Sequence, residues 1–575
     1  MQGEEVLSEF LARVSDFVKR SLSDYRPERH AKPKSIRDAI WGTCPFNPWE
    51  IAILDSPLLQ RLRDLRQTGV ASLVYPTALH TRFDHTLGVV TVASRIVRSI
   101  NEKHLERRAP GGPQDLRISH KDHRRVRLSA LLHDVGHSCL SHVSETIFGA
   151  TEEFGRLIRH INVTFGVTPK PHEIMSWLVV RCEAFGAFID TLRQSEILPE
   201  SDFSPGDIED IAGNIIGYRK DPKTKFLADI INGPMDADKL DYLARDAYFA
   251  GPTVVYDLDR FLHTVDAIEY PRCGPTAEEP TVARLSIPIE GVTALEQIII
   301  SKLMLFSYLY HHHKIRCVEG MCHEALARCM EVSKRHPRAK TYPRLDHPVS
   351  FLSHSDRSLF PVSWPPPVMG DKVAGELFSM LARRELYKRA LIISRLFLLD
   401  LDANDHAKFG FERLLGYGTD AAGRGELRQH IFEVAKKEMG SRRHREAAKG
   451  LLRRFRPHHV IVDIPRSPTV EETEAVMVPV LAEGTRGAHH ANQDFVPLSD
   501  IFPIEKWVDA YNAIKWRGHV FAVDEAVRFV NAAARAVLAA PPYNLQFTYQ
   551  ATDLCKLDEP IPLPPAIGRS LLAGV

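Results

Sequence analysis

From NPWEIAILDSPLLQRLRDLRQTG to about Ala327, apolar residues recur mainly every three or four positions, the spacing of helices that bury one face. Residues 5 to 22 read as one amphipathic helix, followed by a polar, proline-containing passage to about Pro48. In NPWEIAILDSPLLQRLRDLRQTG, Leu58, Leu59, Leu62 and Leu65 fall at i, i+1, i+4 and i+7, with arginines on the other side. DHTLGVVTVASRIVRSI, VRLSALLHDVG and ALEQIIISKLMLFSYLY behave similarly, and the polar ERRAPGGPQDLRISHKD between the first two predicts a loop. The proline-rich FLSHSDRSLFPVSWPPPVMGDK marks a boundary. Beyond it, KVAGELFSMLARRELYKRALIIS and RGELRQHIFEVAKKEMG predict helices, while HHVIVDIP and EAVMVPVLAEG predict short strands. The expected fold is mainly α with a C-terminal region of mixed α and β, in segments 1–36, 37–335, 336–371 and 372–575.

A chain of 575 residues is long for one hydrophobic core, which favours two or three structural units. Its 74 basic and 73 acidic residues leave a formal charge of +1, so global charge argues for neither a nucleic-acid nor a membrane partner. Eight scattered cysteines form no CxxC pair, which disfavours a zinc ribbon and suits a reducing compartment. No run approaches the roughly 18 apolar residues of a membrane span, and MQGEEVLSEFLARVSDFVKR lacks the apolar core of a signal peptide. A cytoplasmic enzyme without a membrane partner is the expectation. Locally, RRHREAAKGLLRRFRPHH is basic enough to suit a nucleic-acid backbone, but Leu451, Leu452 and Phe455 at helical spacing favour an amphipathic helix.

Candidate chemistry concentrates in SALLHDVGHSCLSH, which follows an apolar helix with His133, Asp134, His137 and His142. Burying Asp134 there costs on the order of several kcal/mol unless it is paired or binds a metal. A helix end whose histidines cap carbonyls is the competing explanation. HTRFDHTLGV adds His85 at the start of another apolar helix, and NGPMDADKLDYLARD adds Asp236, Asp238, Asp241 and Asp246 with Lys239 and Arg245. Spacings of about one turn allow carboxylate, phenol and cation in this last stretch to line one cleft.

RFDHTLGV, LLHDVGHSCLSH and DADKLDYLARD, in this order, resemble the HD-domain phosphohydrolases. With SPLLQRLRDLRQTGVASLVYPTALHTRF before them, they are most similar to the deoxynucleoside triphosphate triphosphohydrolase branch, which includes the sterile-alpha-motif and HD-domain enzymes. The resemblance covers about residues 37 to 330, and no sterile-alpha-motif module is recognisable in the short N-terminus. It implies an HD-domain helical core and one divalent metal ion held by His85, His133, Asp134 and Asp238. Two imidazoles with two carboxylates suit Mn, Fe, Zn, Ni or Mg without choosing among them. The implied reaction is hydrolysis of a deoxynucleoside triphosphate to deoxynucleoside and inorganic triphosphate.

The same resemblance implies that His172, in TPKPHEIMSW, is the catalytic histidine oriented by Glu173, with His137 and His142 facing the triphosphate. An imidazole titrates near neutrality and suits proton donation to a leaving oxygen. Arg82, Lys239 and Lys302 are the implied phosphate cations, Lys302 standing where relatives carry arginine. Gln67, Tyr242, Asp246 and Tyr310 are the implied sugar neighbours, and Thr68 stands where a resembling enzyme has leucine. Asp55, Gln60 and Arg63 match a regulatory guanine-nucleotide site at an assembly interface, which implies a homo-oligomer. The plainer reading of DSPLLQRLR, a helix start capped by Asp55 or Ser56, is favoured by the residues themselves. Two other functions stay open: an HD-type phosphodiesterase or nuclease, and a nucleotide-sensing regulatory or defence protein.

Overall fold

The structure, a computed structural model, describes residues 2–27, 32–106, 115–198, 204–253, 256–270, 281–338, 342–360, 370–466, 477–481 and 493–555. It divides into two compact units, one of residues 1–305, 326–375 and 471–503, the other of residues 306–325, 376–470 and 504–575.

The first unit is mainly helical. Its opening helix, Gln2–Leu22, buries Val6, Phe10, Val14, Phe17 and Val18, one face at helical spacing. That face packs against Glu152–Phe165, Pro171–Arg181 and Glu183–Gln194, with Phe10 edge-on to Phe154 at 5.8 Å between ring centroids. The site is built on four further helices, Arg82–Glu106, His120–Leu132, His142–Phe148 and Ala237–Ala250. Ser119 caps His120–Leu132 by accepting from the Asp122 backbone N–H, and Val126, Leu128, Leu131 and Leu132 bury its far side.

Three two-stranded antiparallel pairs complete this unit among the described residues: Lys34–Asp38 with Gly42–Phe46, Asp266–Tyr270 with Val282–Ser286, and Met477–Leu481 with Gln493–Pro497. The first replaces part of the polar passage expected up to Pro48. The expected strand in EAVMVPVLAEG is present as Met477–Leu481.

The second unit is organised on a three-stranded antiparallel sheet with Gly518–Ala522 between Lys388–Ile393 and Val460–Asp463. Helices Ala421–Met439 and Val527–Ala539 cover it, burying Leu427, Ile431, Val530 and Val537. Val460–Asp463 is the strand expected in HHVIVDIP. KVAGELFSMLARRELYKRALIIS is not one helix: the helix ends at Ala382, and RALII enters the sheet with Ala390 to Ile393 buried. In the basic run, Lys449–Arg454 is helical, with Leu451 and Phe455 buried and Arg453 and Arg454 exposed.

The compact units run differently from the expected segments. Gln2–Leu22 is part of the first core, and the described residues 477–481 and 493–503 group with that unit. Within 336–371, Pro348–Ser353 and Asp356–Leu359 are ordered elements, and Phe351 is buried 5.4 Å from Phe148. Residues 339–341 and 361–369, and 107–114 of the expected loop, lie outside the described residues. Contrary to the expectation of no membrane-length run, the Ile289–Tyr310 helical stretch is long and apolar enough on length and composition alone. Val292, Leu295, Ile298 and Leu305 on it are buried.

Candidate metal centre and active site

His85 lies one turn into Arg82–Glu106, on the same face as Arg82, and is fully buried. His133 ends His120–Leu132 and Asp134 follows it, while Asp238 sits in the first turn of Ala237–Ala250. Asp236 caps that turn by accepting from the Lys239 backbone N–H at 2.7 Å. These elements bring four donors together from positions 153 residues apart at the extremes (238 − 85). His85 Nε2 is 2.9 Å from Asp238 Oδ1 and 3.3 Å from His133 Nε2. Asp134 Oδ1 is 3.5 Å from His133 Nε2, and its Oδ2 is 3.9 Å from His85 Nε2.

The chemistry of this donor set calls for a cation. His133 Nδ1 is 2.7 Å from the Ala130 carbonyl and His85 Nδ1 is 2.7 Å from Asp241 Oδ2, so each ring directs its Nδ1 proton away from the centre. Two Nε2 lone pairs then face each other and two carboxylates, an arrangement that is repulsive until a positive charge enters it. Burial alone would lower His85, but Asp238 and Asp241 outweigh it and push it up to about 10. Arg82, His137 and His133 hold Asp134 well below the usual carboxylate range despite its burial. His85, His133 and Asp238 each bring one ligand atom within 4.8 Å of the others and fit one divalent ion, while Asp134 adjoins them and groups at that distance with His137 and His172.

Beside this centre stand three more histidines around one carboxylate. Glu145, on His142–Phe148, has Oε2 3.1 Å from His172 Nδ1 and 3.3 Å from His142 Nδ1, and Oε1 3.0 Å from His137 Nδ1. The last is a close approach without hydrogen-bond alignment. His137 Nε2 reaches Asp134 Oδ1 at 3.2 Å, which ties the group to the candidate metal donors. His137 and His172 stack with ring centroids 4.0 Å apart, and the field pushes them in opposite directions. Burial, with Arg82 and His172 beside it, pushes His137 down to about 4. Burial acts the same way on His172, but Glu145 outweighs it and raises that imidazole. The field thus favours a proton on His172 over one on His137.

The carboxylate bonded to His172 is Glu145, in place of the expected Glu173. Glu173 is at the third position of Pro171–Arg181 and accepts from the Lys170 backbone N–H at 2.8 Å, while its Oε1 is 3.9 Å from His172 Nε2. Gly136 makes the His172 helix possible at this distance. A Cβ there would lie 2.2 Å from the Ser176 nitrogen and 2.5 Å from the His172 carbonyl oxygen. The Gly136 N–H instead donates to Ser176 Oγ at 2.8 Å.

Arg82 is buried and donates to Asp134 Oδ2 at 2.6 Å and to Ser141 Oγ at 3.1 Å. Lys239 donates to Asp236 Oδ2 at 2.7 Å and to the Gly233 carbonyl at 2.9 Å. A cleft beside the metal donors is lined by His133, Lys170, His172, Glu173, Asp236 and Asp238. Lys170 and Glu145 are thus site residues that sequence reasoning missed, one two residues before His172 and the other three after His142.

Of the implied sugar neighbours, Gln67 lies behind Arg82, whose Nη2 is 3.5 Å from the Gln67 carbonyl oxygen. Asp246 Oδ1 bonds His80 Nε2 at 2.7 Å, and Tyr242 is half-buried one turn before it. Lys302 is half-buried on Val292–Leu305, and Tyr310 falls in the second unit. The three residues of the implied regulatory site make the following contacts. Asp55 pairs with Lys34 at 3.1 Å, Gln60 accepts from Arg63 Nε at 2.8 Å, and Arg63 covers the Phe83 ring. The expected side-chain cap is absent here: Asp55 ends Pro48–Leu54, and Ser56, at the start of Pro57–Gln60, donates back to the Ile53 carbonyl.

Residues 82–176 match the HD domain, and residues 281–408 match the HD associated region. The chain is 30% identical over 330 residues to an uncharacterized protein of Methanocaldococcus jannaschii, covering 57% of this chain and 56% of that protein. It is 25% identical over 340 residues to the deoxynucleoside triphosphate triphosphohydrolase SAMHD1 homolog of Dictyostelium discoideum, covering 59% and 56%. To the Bos taurus deoxynucleoside triphosphate triphosphohydrolase SAMHD1 it is 32% identical over 246 residues, covering 40% and 38%. The chain thus spans about half the length, or less, of these curated relatives. A crystal structure of a hypothetical protein from Aquifex aeolicus shares the fold, with a TM-score of 0.53 at 21% identity over 87% of this chain and 99% of that one.

Proposed function

We propose that this chain, built around an HD domain, is a metal-dependent phosphohydrolase that converts deoxynucleoside triphosphates to deoxynucleosides and inorganic triphosphate. The observation that carries the reading is the junction of two groups. His85, His133 and Asp238 converge within 4.8 Å, and the adjoining Asp134 joins them to a cluster in which His172 Nδ1 is 3.1 Å from Glu145 Oε2. The relatives named as triphosphohydrolases supply the substrate class.

His85, His133, Asp134 and Asp238 would hold the ion, which supplies Lewis acidity at the phosphate when bound. His172, fixed through Nδ1 by Glu145, directs Nε2 to the cleft and donates its proton to the nucleoside O5′ as the bond to the α-phosphorus breaks. Water supplies the hydroxyl gained by the α-phosphorus, so triphosphate leaves intact. Lys170 and Lys239 stand at or beside the cleft as phosphate cations, and Arg82 fixes Asp134. A homo-oligomer and a cytoplasmic location accompany this reading.

The test is hydrolysis of each deoxynucleoside and ribonucleoside triphosphate by protein loaded separately with Mn, Fe, Zn, Ni or Mg, with products identified by phosphorus NMR. Inorganic triphosphate and nucleoside are expected. Cleavage of phosphodiesters with no triphosphate release from any nucleotide would overturn the reading in favour of a nuclease or phosphodiesterase.

A further inference from the structure

A closed ring of buried polar groups links the metal donor His85 to the N-terminal hairpin. Asp241 has four donors on its two oxygens. Oδ2 accepts from His85 Nδ1 at 2.7 Å and Arg245 Nε at 2.8 Å, and Oδ1 accepts from Arg245 Nη2 at 2.9 Å and from Trp41 Nε1. Arg245 Nη1 continues to Asp38 Oδ2 at 2.9 Å. The other oxygen of Asp38 accepts from the Ile40 and Trp41 backbone N–H groups, both at 2.8 Å, in the turn between Lys34–Asp38 and Gly42–Phe46. Asp38, Trp41, His85, Asp241 and Arg245 are all buried, from Asp241 at 0% exposed to Trp41 at 8%.

We propose that Asp38, Trp41 and Arg245 act through Asp241 as positioning residues for His85, so that the hairpin at 34–46 is a working part of the metal centre. The inference rests on reading the four-donor group as a metal site. Indole and guanidinium only donate, so Asp241 is locked as an acceptor and the His85 Nδ1 must donate to it. That fixes both the ring orientation and the tautomer, leaving the Nε2 lone pair for the ion. Two carboxylates and one guanidinium leave the ring with a net charge of −1, which strengthens the imidazole as a ligand. Helix Arg82–Glu106 accommodates the ring only because position 88 is glycine. A Cβ there would lie 1.8 Å from Asp241 Oδ1 and 2.5 Å from Arg245 Nη2.

A merely structural ring would hold the hairpin on the helix and leave metal affinity alone. Trp41→Phe separates the two roles, because it removes the indole N–H and keeps an aromatic ring under Arg95, now 5.1 Å away. The measurement is Zn2+ affinity by competition with a chromophoric chelator, beside thermal unfolding of the metal-free proteins. Asp241→Asn should weaken Zn2+ by roughly 10- to 100-fold, the usual range for a partner behind a ligand. Trp41→Phe and Asp38→Asn should each weaken it several-fold, with metal-free melting little changed in Trp41→Phe. Zn2+ should also shift the indole emission of the unmodified protein by a component missing in Trp41→Phe. Unchanged Zn2+ affinity in Trp41→Phe and Asp38→Asn, with binding lost in His85→Ala, would refute the positioning role and leave the metal site standing. Failure of the unmodified protein to take up Zn2+, Mn2+ or Fe2+ would overturn both.

Discussion

Replacing Gly136 by alanine tests whether the distance between the HD turn and the His172 helix controls catalysis. The added Cβ would meet the Ser176 nitrogen at 2.2 Å and the His172 carbonyl oxygen at 2.5 Å, both backbone atoms that cannot rotate away. Restoring an ordinary contact requires the helix Pro171–Arg181 to retreat by about 1 Å, since carbon contacts closer than van der Waals distance are strongly repulsive. Such overpacking costs about 1–3 kcal/mol of stability. The larger effect should be on chemistry, because the His172–Glu145 bond of 3.1 Å and the 4.0 Å stacking on His137 both span that gap. A displacement of about 1 Å at a reacting group can cost on the order of 10²-fold in rate. The assay is kcat on a deoxynucleoside triphosphate together with metal content, for Gly136→Ala, His172→Ala and the double variant. We expect kcat to fall by about 10²-fold in Gly136→Ala at full metal content, and little further loss on adding it to His172→Ala. Multiplicative losses in the double variant, or a kcat within about threefold of the unmodified protein, would refute the reasoning.

Four other outcomes are expected. Asp134→Ala and His133→Ala should lose bound metal and hydrolysis while circular dichroism retains the helices; full activity in either, or in demetallated protein, would count against the four-donor site. His172→Ala should lower turnover by roughly 10²–10⁴-fold with nucleotide still bound, and pyrophosphate or orthophosphate as the first product would contradict its place at the leaving nucleoside. Burial pushes Asp356 up to about 6, although it accepts from the Arg66 and Leu140 backbone N–H groups. Its folded pKa exceeds the unfolded one, so its contribution is greatest below about pH 4 and is lost as pH rises through 6, by about 3 kcal/mol for two units; denaturant midpoints from pH 4 to 7 should show that slope in the unmodified protein and a flatter one in Asp356→Asn. Thr68 is smaller than the leucine of a resembling enzyme and carries a hydroxyl, so ribonucleotides should be excluded by less than about 10²-fold, and Thr68→Leu should sharpen exclusion; kcat/KM for dATP against ATP in both proteins decides it.

The helices were legible because each buries one face at the helical period, as Val6, Phe10, Val14 and Phe17 do. Two kinds of element were not. RALII is a short continuous apolar run, which periodicity cannot assign to helix or strand, and burial of Ala390 to Ile393 in the sheet decides for strand. The hairpin at 34–46 has five-residue strands, one containing Pro45, and its anchoring partners Asp241 and Arg245 lie some 200 positions away. Proline content likewise misdescribed 342–360. Pro348 starts a turn there, and what orders the segment is tertiary: Phe351 against Phe148, and Asp356 on two distant backbone N–H groups.

The same distinction operates inside the site. The grouping of His85, His133, Asp134 and Asp238 was implied by the three motifs that carry the resemblance, and each of the four sits near a helix start or end. The orienting carboxylate of His172 was not legible, because orientation depends on direction in space. Adjacent residues on a helix point about 100° apart, so Glu173 and His172 cannot readily share one target. The first turn at Pro171 also has exposed N–H groups to satisfy, and the Glu173 carboxylate is engaged by the Lys170 N–H. The orienting carboxylate therefore had to come from another element. Its position was implicit in the spacing already used for the histidines: Glu145 is one turn after His142, so any helix that turns His142 toward the site turns Glu145 with it.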